Sequence, residues 1–466
     1  MPIVDTPALL AIAFVDVLLE ETDANIIMVD KHHKPGGHWN LAYPFVTLHQ
    51  PSAYYGVSSC ELSKGRKDQV GLNKGLNDLA TGAEISAYFD DVMRHRFLPT
   101  GRVQYFPMCD YLGDGRFQSC LTGETYQVSA GKTVDATYLK TSVPANHTPG
   151  FSIAPGVRSM PLNDLPTVSE PPVGFVVIGG GKTGIDACLW LLENGVDPDR
   201  IQWIVSRDAW LLDRRNTQPT EEFFEYTIGA MANQFEAIAR SESIPDLFDR
   251  LEAVGVLLRL DPTVRPSMFH GATVSQDELA QLRRIRQVVR LGRVTALEPD
   301  CIHLEQGRLD TSPDHLHIDC SASAISNLET RPIFAGDLIT PQTVRSYQPV
   351  FSAAFIAHIE AAYGKESDKN RLCGVVPLPN HDTDWIRMMI GMMMNQYQWS
   401  QHKEIRQWLV NNRLDGMSRM IRDIDRSDLA KQDILKRVRD SAMPAMAKLQ
   451  AYAADIRSQN QASQEA

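Results

Sequence analysis

Apolar positions along the chain change period in two places in the manner of parallel α/β units, an extended run giving way to a helical pattern and then to another extended run. In the first, Ile3-Val4 leads into a helix over 8–21 and a strand over 25–30 that ends in Asp30. In the second, Gly174-Phe175-Val176-Val177-Ile178 leads through a glycine turn into a helix ending near Leu192 and a strand over 201–205. Between them the spacing of Ile85, Phe89, Val92 and Met93 predicts a helix near 83–95, with short strands around Tyr105 and over 126–134. Pro161, Pro166, Pro171 and Pro172 crowd the stretch 160–172, which reads as a domain boundary. Beyond the second unit the pattern predicts helices over 220–258 and 276–289, a hairpin of 293–297 with 302–305, and strands at 316–320 and 333–335. Helices are expected again over 342–362 and from Thr383 onward, where Trp385, Trp399 and Trp408 recur; 457–466 is expected to fray.

Composition narrows the class. A chain of 466 residues suggests about three domains and buries more than one core without disulfides or a metal. Lys and Arg total 46 against 57 Asp and Glu, a net charge of −11, which argues against a protein that coats nucleic acid or anionic membrane. The 7 cysteines are scattered with no C-x-x-C pair, so neither a zinc ribbon nor dithiol redox chemistry is proposed. Reduced thiols in a cytoplasmic protein with no metal site are expected. The apolar run 8–15 is cut by Asp16, and the methionine-rich run 388–394 is short, so neither a signal peptide nor a membrane span is expected. The methionines read as core, or as an adaptable apolar lining for a substrate.

The chemistry concentrates at Gly179-Gly180-Gly181-Lys182-Thr183-Gly184, a G-x-G-x-x-G turn between a strand and a helix. Gly179 allows the tight turn, Gly181 lets the backbone approach a pyrophosphate, and Gly184 permits close helix–strand packing. The helix amides then hold the phosphates. An NTPase phosphate loop is excluded, because Val176 stands where that motif needs its first glycine. At the end of the following strand, where an acid would bind the ribose 2′-hydroxyl, stand Ser206 and Arg207. A hydroxyl and a guanidinium suit a 2′-phosphate, so NADP(H) is favoured over NAD(H). The alternative reading of Arg207 is a loop charge neutralised by Asp208.

The first unit is degenerate. Asp30 sits where a ribose-binding acid belongs, but Thr6, Ala8 and Ala11 occupy the glycine positions, and Pro7 removes an amide donor. Either this nucleotide site is weakened or the natural N-terminus differs. Pro35-Gly36-Gly37-His38-Trp39 follows closely, and Pro332-Ile333-Phe334-Ala335-Gly336-Asp337 comes much later. With Asp30, Gly36-Gly37-x-Trp39 and the 179–184 turn in this order, the chain resembles the two-dinucleotide flavoproteins over roughly residues 1–360. These are the flavin-containing monooxygenases and related FAD/NAD(P)H oxidoreductases.

The resemblance implies an α/β fold of two Rossmann-like domains, the second inserted in the first. Residues 1–168 with 320–375 would bind FAD, 169–319 would bind NADPH, and 376–466 would form a helical C-terminal region. Asp30 would hold the adenosine ribose, Gly36 and Gly37 would pass under the flavin beside Trp39, and Asp337 would touch the ribityl chain. Taken singly, the glycines read as a turn, Trp39 as core, and Asp337 as the cap of the 342–362 helix. His49 and Gln50 fall where the family places polar residues at the reactive edge of the flavin, and are the candidate catalytic pair; the other reading is a polar loop. The implied activity is oxygenation of a small organic substrate by molecular oxygen through a flavin hydroperoxide, with no nucleic-acid partner. Two departures bear on it: Met160 stands where the family's F-x-G-x-x-x-H motif has its His, and Ala136-Thr137-Tyr138 replaces an Ala-Thr-Gly strand end. A reductase or dehydrogenase without oxygen insertion therefore stays open. So does a flavin-poor NADP(H)-binding sensor or partner protein.

Overall fold

Short apolar strands cannot pair stably alone, and in this chain they collect from distant positions. The structure, a computed structural model, describes residues 2–5, 8–139, 143–322 and 329–465. The protein is a mixed α/β fold whose described strands form two parallel sheets and several smaller ones. In the first sheet Pro2–Asp5 lies between Ile26–Asp30 and Lys132–Asp135, with Val103–Pro107 outside Ile26–Asp30. Leu338–Ile339 returns to pair in parallel with Thr133 and Val134. In the second sheet Gly174–Ile178 lies between Ile201–Ile204 and His315–Asp319, and Gln287–Val289 and Ser159–Pro161 form its edges. In each sheet the chain steps outward on one side of that central strand and then resumes on the other. Such a reversal opens a crevice at the carboxyl end of the central strand.

The helix Ala8–Glu21 packs on Pro349–Ala362, and the two share one core with the first sheet. Both are apolar on nearly every face, the mark of a helix buried all round. The exception is Asp16, which accepts hydrogen bonds from Ser59 N (3.0 Å) and Ser59 Oγ (2.5 Å). Helix Gly82–Val92 starts where Thr81 and Glu84 form a capping box, and it widens into a turn at Met93–Phe97.

Several expectations change. Ser159–Pro161, ahead of the proline-rich stretch, is an edge strand of the second sheet and pairs with His317 to Asp319. A three-residue edge strand ending in proline carries no readable period. The helix expected over 276–289 stops at Leu282, and Gln287–Val289 is a strand. The helix expected from 342 begins at Pro349; the preceding segment is tied down by Gln342 Nε2 donating to Arg331 O (2.8 Å) and Thr343 Oγ1 to Val376 O (2.8 Å).

The 376–466 region is helical but does not stand apart. Trp399, Ile405, Leu409 and Leu414 join the core of the first sheet, and Leu429–Glu465 packs on Phe224–Arg240. Arg413 donates to the carbonyls of Ala53 (2.7 Å), Tyr55 (2.6 Å) and Val57 (2.8 Å). Met388 and Met389 are core, packed with Trp210, Phe248 and Trp385. No helix among the described residues is long and apolar enough to cross a membrane.

Trp399 is 1% exposed, lies 4.4 Å from the Phe355 ring and donates Nε1 to Leu372 O at 2.8 Å. Trp399→Ala is expected to lower the unfolding free energy by about 3–5 kcal/mol in urea titration. Leu429→Ala, at a side chain 78% exposed, should change it by no more than about 0.5 kcal/mol.

Candidate functional site

The turn after Gly174–Ile178 assigns each glycine a different task. Gly179 has φ +135°, and a Cβ there would meet the Cys320 carbonyl. A Cβ at Gly184 would meet the carbonyl of Gly179. At Gly181 a Cβ would meet nothing within 4 Å. Two glycines thus let the helix Lys182–Glu193 close onto the strand, and the third leaves backbone open at the helix N-terminus, where a pyrophosphate would be held.

Lys182, at the head of this helix, pairs with Asp186 one turn later. Asp186 Oδ2 also accepts the Tyr43 hydroxyl (2.5 Å), and Phe45 stacks on Trp190 at 4.9 Å. The 43–45 loop of the first unit is therefore docked along the glycine-motif helix. Burial, then the Asp186 charge, raises the Tyr43 hydroxyl well above its ordinary pKa.

Ser206 and Arg207 follow Val205, whose side chain crowds Gly180. Arg207 Nη2 donates to Asn380 Oδ1 (2.9 Å). Asp208 does not neutralise it, because Arg290 takes that carboxylate with two bonds of 2.8 and 3.1 Å. No carboxylate pairs with Arg207 among the described residues.

In the first unit Asp30 is 1% exposed at the carboxyl end of Ile26–Asp30, and its Oδ1 accepts from His32 N (2.9 Å). Gly36 (φ +130°) and Gly37 turn the chain into Gly37–Leu41. Trp39 donates Nε1 to Tyr55 Oη (2.6 Å) and walls a cleft of about 650 Å³ together with Lys34, Tyr43, Gly82, Ser86 and Arg94. Thr6 and Pro7 lie outside the described residues; Ala8 opens the helix Ala8–Glu21, and Ala11 is 0% exposed within it.

Asp337 does not join this group. It lies exposed in the turn between Phe334–Ala335 and Leu338–Ile339. Its carbonyl accepts from Thr133 N (2.8 Å), at the amino end of the parallel strands, whereas Asp30 lies at the carboxyl end. The apolar run before Gly336-Asp337 is the antiparallel arm of a hairpin, so that run could not deliver Asp337 to the crevice. It is not the cap of the next helix either, because that cap is Gln348.

His49 and Gln50 are half-buried. His49 Nδ1 accepts from Thr273 N (3.4 Å), and enclosure, then the Lys182 and Arg214 charges, holds its imidazole well below the usual pKa. The ring is therefore neutral with its proton on Nε2. Gln50 Nε2 donates to the carbonyl of Tyr347 (3.1 Å), which makes it a tether. Tyr347 has φ +55°, and its hydroxyl is buried with no hydrogen-bond partner. No group of three His, Cys, Asp or Glu among the described residues is placed to hold a metal ion.

Two uncharacterized proteins of Mycobacterium tuberculosis (strains H37Rv and CDC 1551) and one of Mycobacterium bovis are 48% identical to this chain over 413 residues, 88% of it and 76% of each of them. The chain belongs to their family. No protein-family model matches it. Among solved structures, an oxidized steroid monooxygenase bound to NADP has a TM-score of 0.48 at 14% identity, over 77% of this chain and 84% of that one. The OTEMO complex with FAD and NADP has a TM-score of 0.46 at 14% identity, over 77% and 83%. A flavin-containing monooxygenase from Stenotrophomonas maltophilia has a TM-score of 0.44 at 12% identity, over 77% and 96%.

In this member of the family, sequence reasoning missed Tyr43, Asp186, Arg214 and Asn380. Asp186 alone had a local signal, four residues after Lys182 on one helix face. The others meet their partners across more than a hundred residues of chain, as Tyr43 meets Asp186 and Arg214 meets His49.

A neutral native His49 sets the sign of a pH dependence. Below about pH 6.5 the unfolded chain takes up a proton that the folded ring does not, so folding stability falls as pH falls, by up to about 1.4 kcal/mol per pH unit. His49→Gln should remove that share, visible as a shallower loss in urea unfolding between pH 7 and pH 5.

Proposed function

We propose that this protein is an FAD- and NADPH-dependent oxidoreductase, and of the alternatives a monooxygenase acting on a small organic substrate. The observation that carries the reading is the 179–184 turn, where backbone carbonyls occupy the space a side chain at Gly179 or Gly184 would need and Gly181 faces open space. Arg207 stands unpaired by carboxylate at the end of the next strand, which suits the additional phosphate of NADPH. On this reading the second sheet with its helices is the NADP(H) unit, a Rossmann-like domain threaded through the first.

The first unit fits FAD at the positions the structure describes. Asp30 stands at the carboxyl end of its strand for a ribose, and Gly36-Gly37 turn beside a cleft walled by Trp39. Bound together, the two cofactors would supply two-electron redox chemistry.

The chain's own residues orient and enclose. Tyr43 and Asp186 hold Lys182 at the helix N-terminus beside the open backbone. His49 is a neutral donor that holds its proton at Nε2 with no acceptor among the described residues. Gln50 fixes the backbone at Tyr347.

The purified protein is expected to be yellow, to release FAD on denaturation, and to consume oxygen with NADPH when substrate is present. Arg207→Ala should weaken NADPH binding by about ten- to a hundredfold, the range for hydrogen bonds to a charged group, while NADH binding stays within about twofold. Colourless protein would refute the flavin assignment. Equal losses for both nucleotides would refute the role of Arg207.

A further inference from the structure

We infer that Asn380 and His270, brought from outside the second sheet, complete with Ser206 and Arg207 a binding site for the 2′-phosphate of NADP(H). The inference rests on the dinucleotide reading of the 179–184 turn and extends it to the helical C-terminal part of the chain. Sequence pattern assigned that part no cofactor contact.

The placement starts at the turn. A Cβ on Gly180 would lie 2.8 Å from Val205 Cγ1, so the two residues after Val205 sit at the rim where an adenosine ribose leaves the glycine turn. Arg207 Nη2 donates to Asn380 Oδ1 at 2.9 Å, and the same oxygen meets His270 Nε2 at 3.0 Å. A guanidinium only donates, which identifies the contacted atom of Asn380 as its oxygen and makes His270 Nε2 a donor. The Asn380 Nδ2 amide then carries two N–H groups with no partner among the described residues. Nε and Nη1 of Arg207 and the hydroxyl of Ser206 likewise have no partner among the described residues.

Two carboxylates close by already have partners, and neither pairs with Arg207. Asp208 is held by Arg290. Asp384 accepts the backbone N–H groups of Asn380 (3.1 Å) and His381 (2.9 Å). Burial first, then the Arg207 charge and His381, disfavours the protonated form of His270, against the opposing hydrogen bond to Asn380.

The result is a half-buried cluster built around a guanidinium and rich in donors that have no partner among the described residues. A phosphate dianion satisfies such a cluster and a ribose hydroxyl does not. Asn380 has a double part: its oxygen positions the guanidinium, and its amide faces the same space. No acid stands at the strand end, where Ser206 and Arg207 are, and the partner of Arg207 comes from 173 residues further along the chain.

The test measures dissociation constants of the full chain for NADPH and NADH by fluorescence titration, in wild type, Asn380→Asp and His270→Gln. Asn380→Asp puts a carboxylate against Arg207 and should weaken NADPH binding tenfold or more, with NADH within twofold. His270→Gln keeps a donor to Asn380 but removes the imidazole, and should lower the NADPH preference by a smaller factor. Inorganic phosphate should compete with NADPH and not with NADH in wild type, and this effect should vanish in Asn380→Asp. An unchanged NADPH-to-NADH ratio in Asn380→Asp, an equal loss of both nucleotides there, or equal competition by phosphate overturns the inference while leaving the dinucleotide reading in place. A wild type that binds neither nucleotide overturns both.

Discussion

One buried guanidinium organises the ground between the two sheets. Arg214, with 3% of its side chain exposed, donates to Glu278 Oε2 (2.6 Å), Thr273 O (2.8 Å), His49 O (3.1 Å) and Asn73 Oδ1. Removing a guanidinium from water costs several kcal/mol unless its N–H groups find acceptors. The acceptors here come from the loops around 49 and 73 and from the segment 273–278. Satisfying the charge therefore pins those segments to one another. Glu278 is held in turn, because it also caps its own helix through Ser275 and accepts from Asn73 Nδ2 (2.7 Å).

That constraint fixes where the candidate chemistry can occur. With the carbonyl of His49 bound to Arg214 and its Nδ1 against Thr273, the His49 ring is held close enough to Lys182 to feel its charge. The Tyr43–Asp186–Lys182 contact makes a second tie across the same junction, at the head of the glycine-motif helix. Arg413 and Trp399 secure the other side of the first unit, so the C-terminal helices brace the site as well as reaching the Arg207 cluster through Asn380.

Features that could be read in the chain were those whose cause is local. The helix Ala8–Glu21 and the strand Gly174–Ile178 form at the positions their apolar spacing predicts. The hairpin of Val294–Leu297 with Cys301–Leu304 does so too. Ser159–Pro161 and Gln287–Val289 were illegible because a three-residue edge strand has too few positions to show a period, and pairing with a neighbour decides it. Asp337 misled for a related reason: an apolar run ending in Gly-Asp looks the same whether it is a parallel strand or the outer arm of a hairpin. Only its antiparallel register with Leu338–Ile339 turns it away from the crevice.

The sequence by itself determined the two strand–turn–helix units, the division of labour among Gly179, Gly181 and Gly184, and the basic residue at the end of the following strand. Each follows from steric and electrostatic rules acting within a few residues. Tertiary structure alone decided that Asp208 serves Arg290 and leaves Arg207 to Asn380, that Arg214 binds the His49 loop, and that Tyr43 reaches Asp186. These are competitions among charged and polar groups for partners far apart in the chain. Burial settles them, because a polar group withdrawn from water takes whichever partner the fold brings within hydrogen-bonding distance.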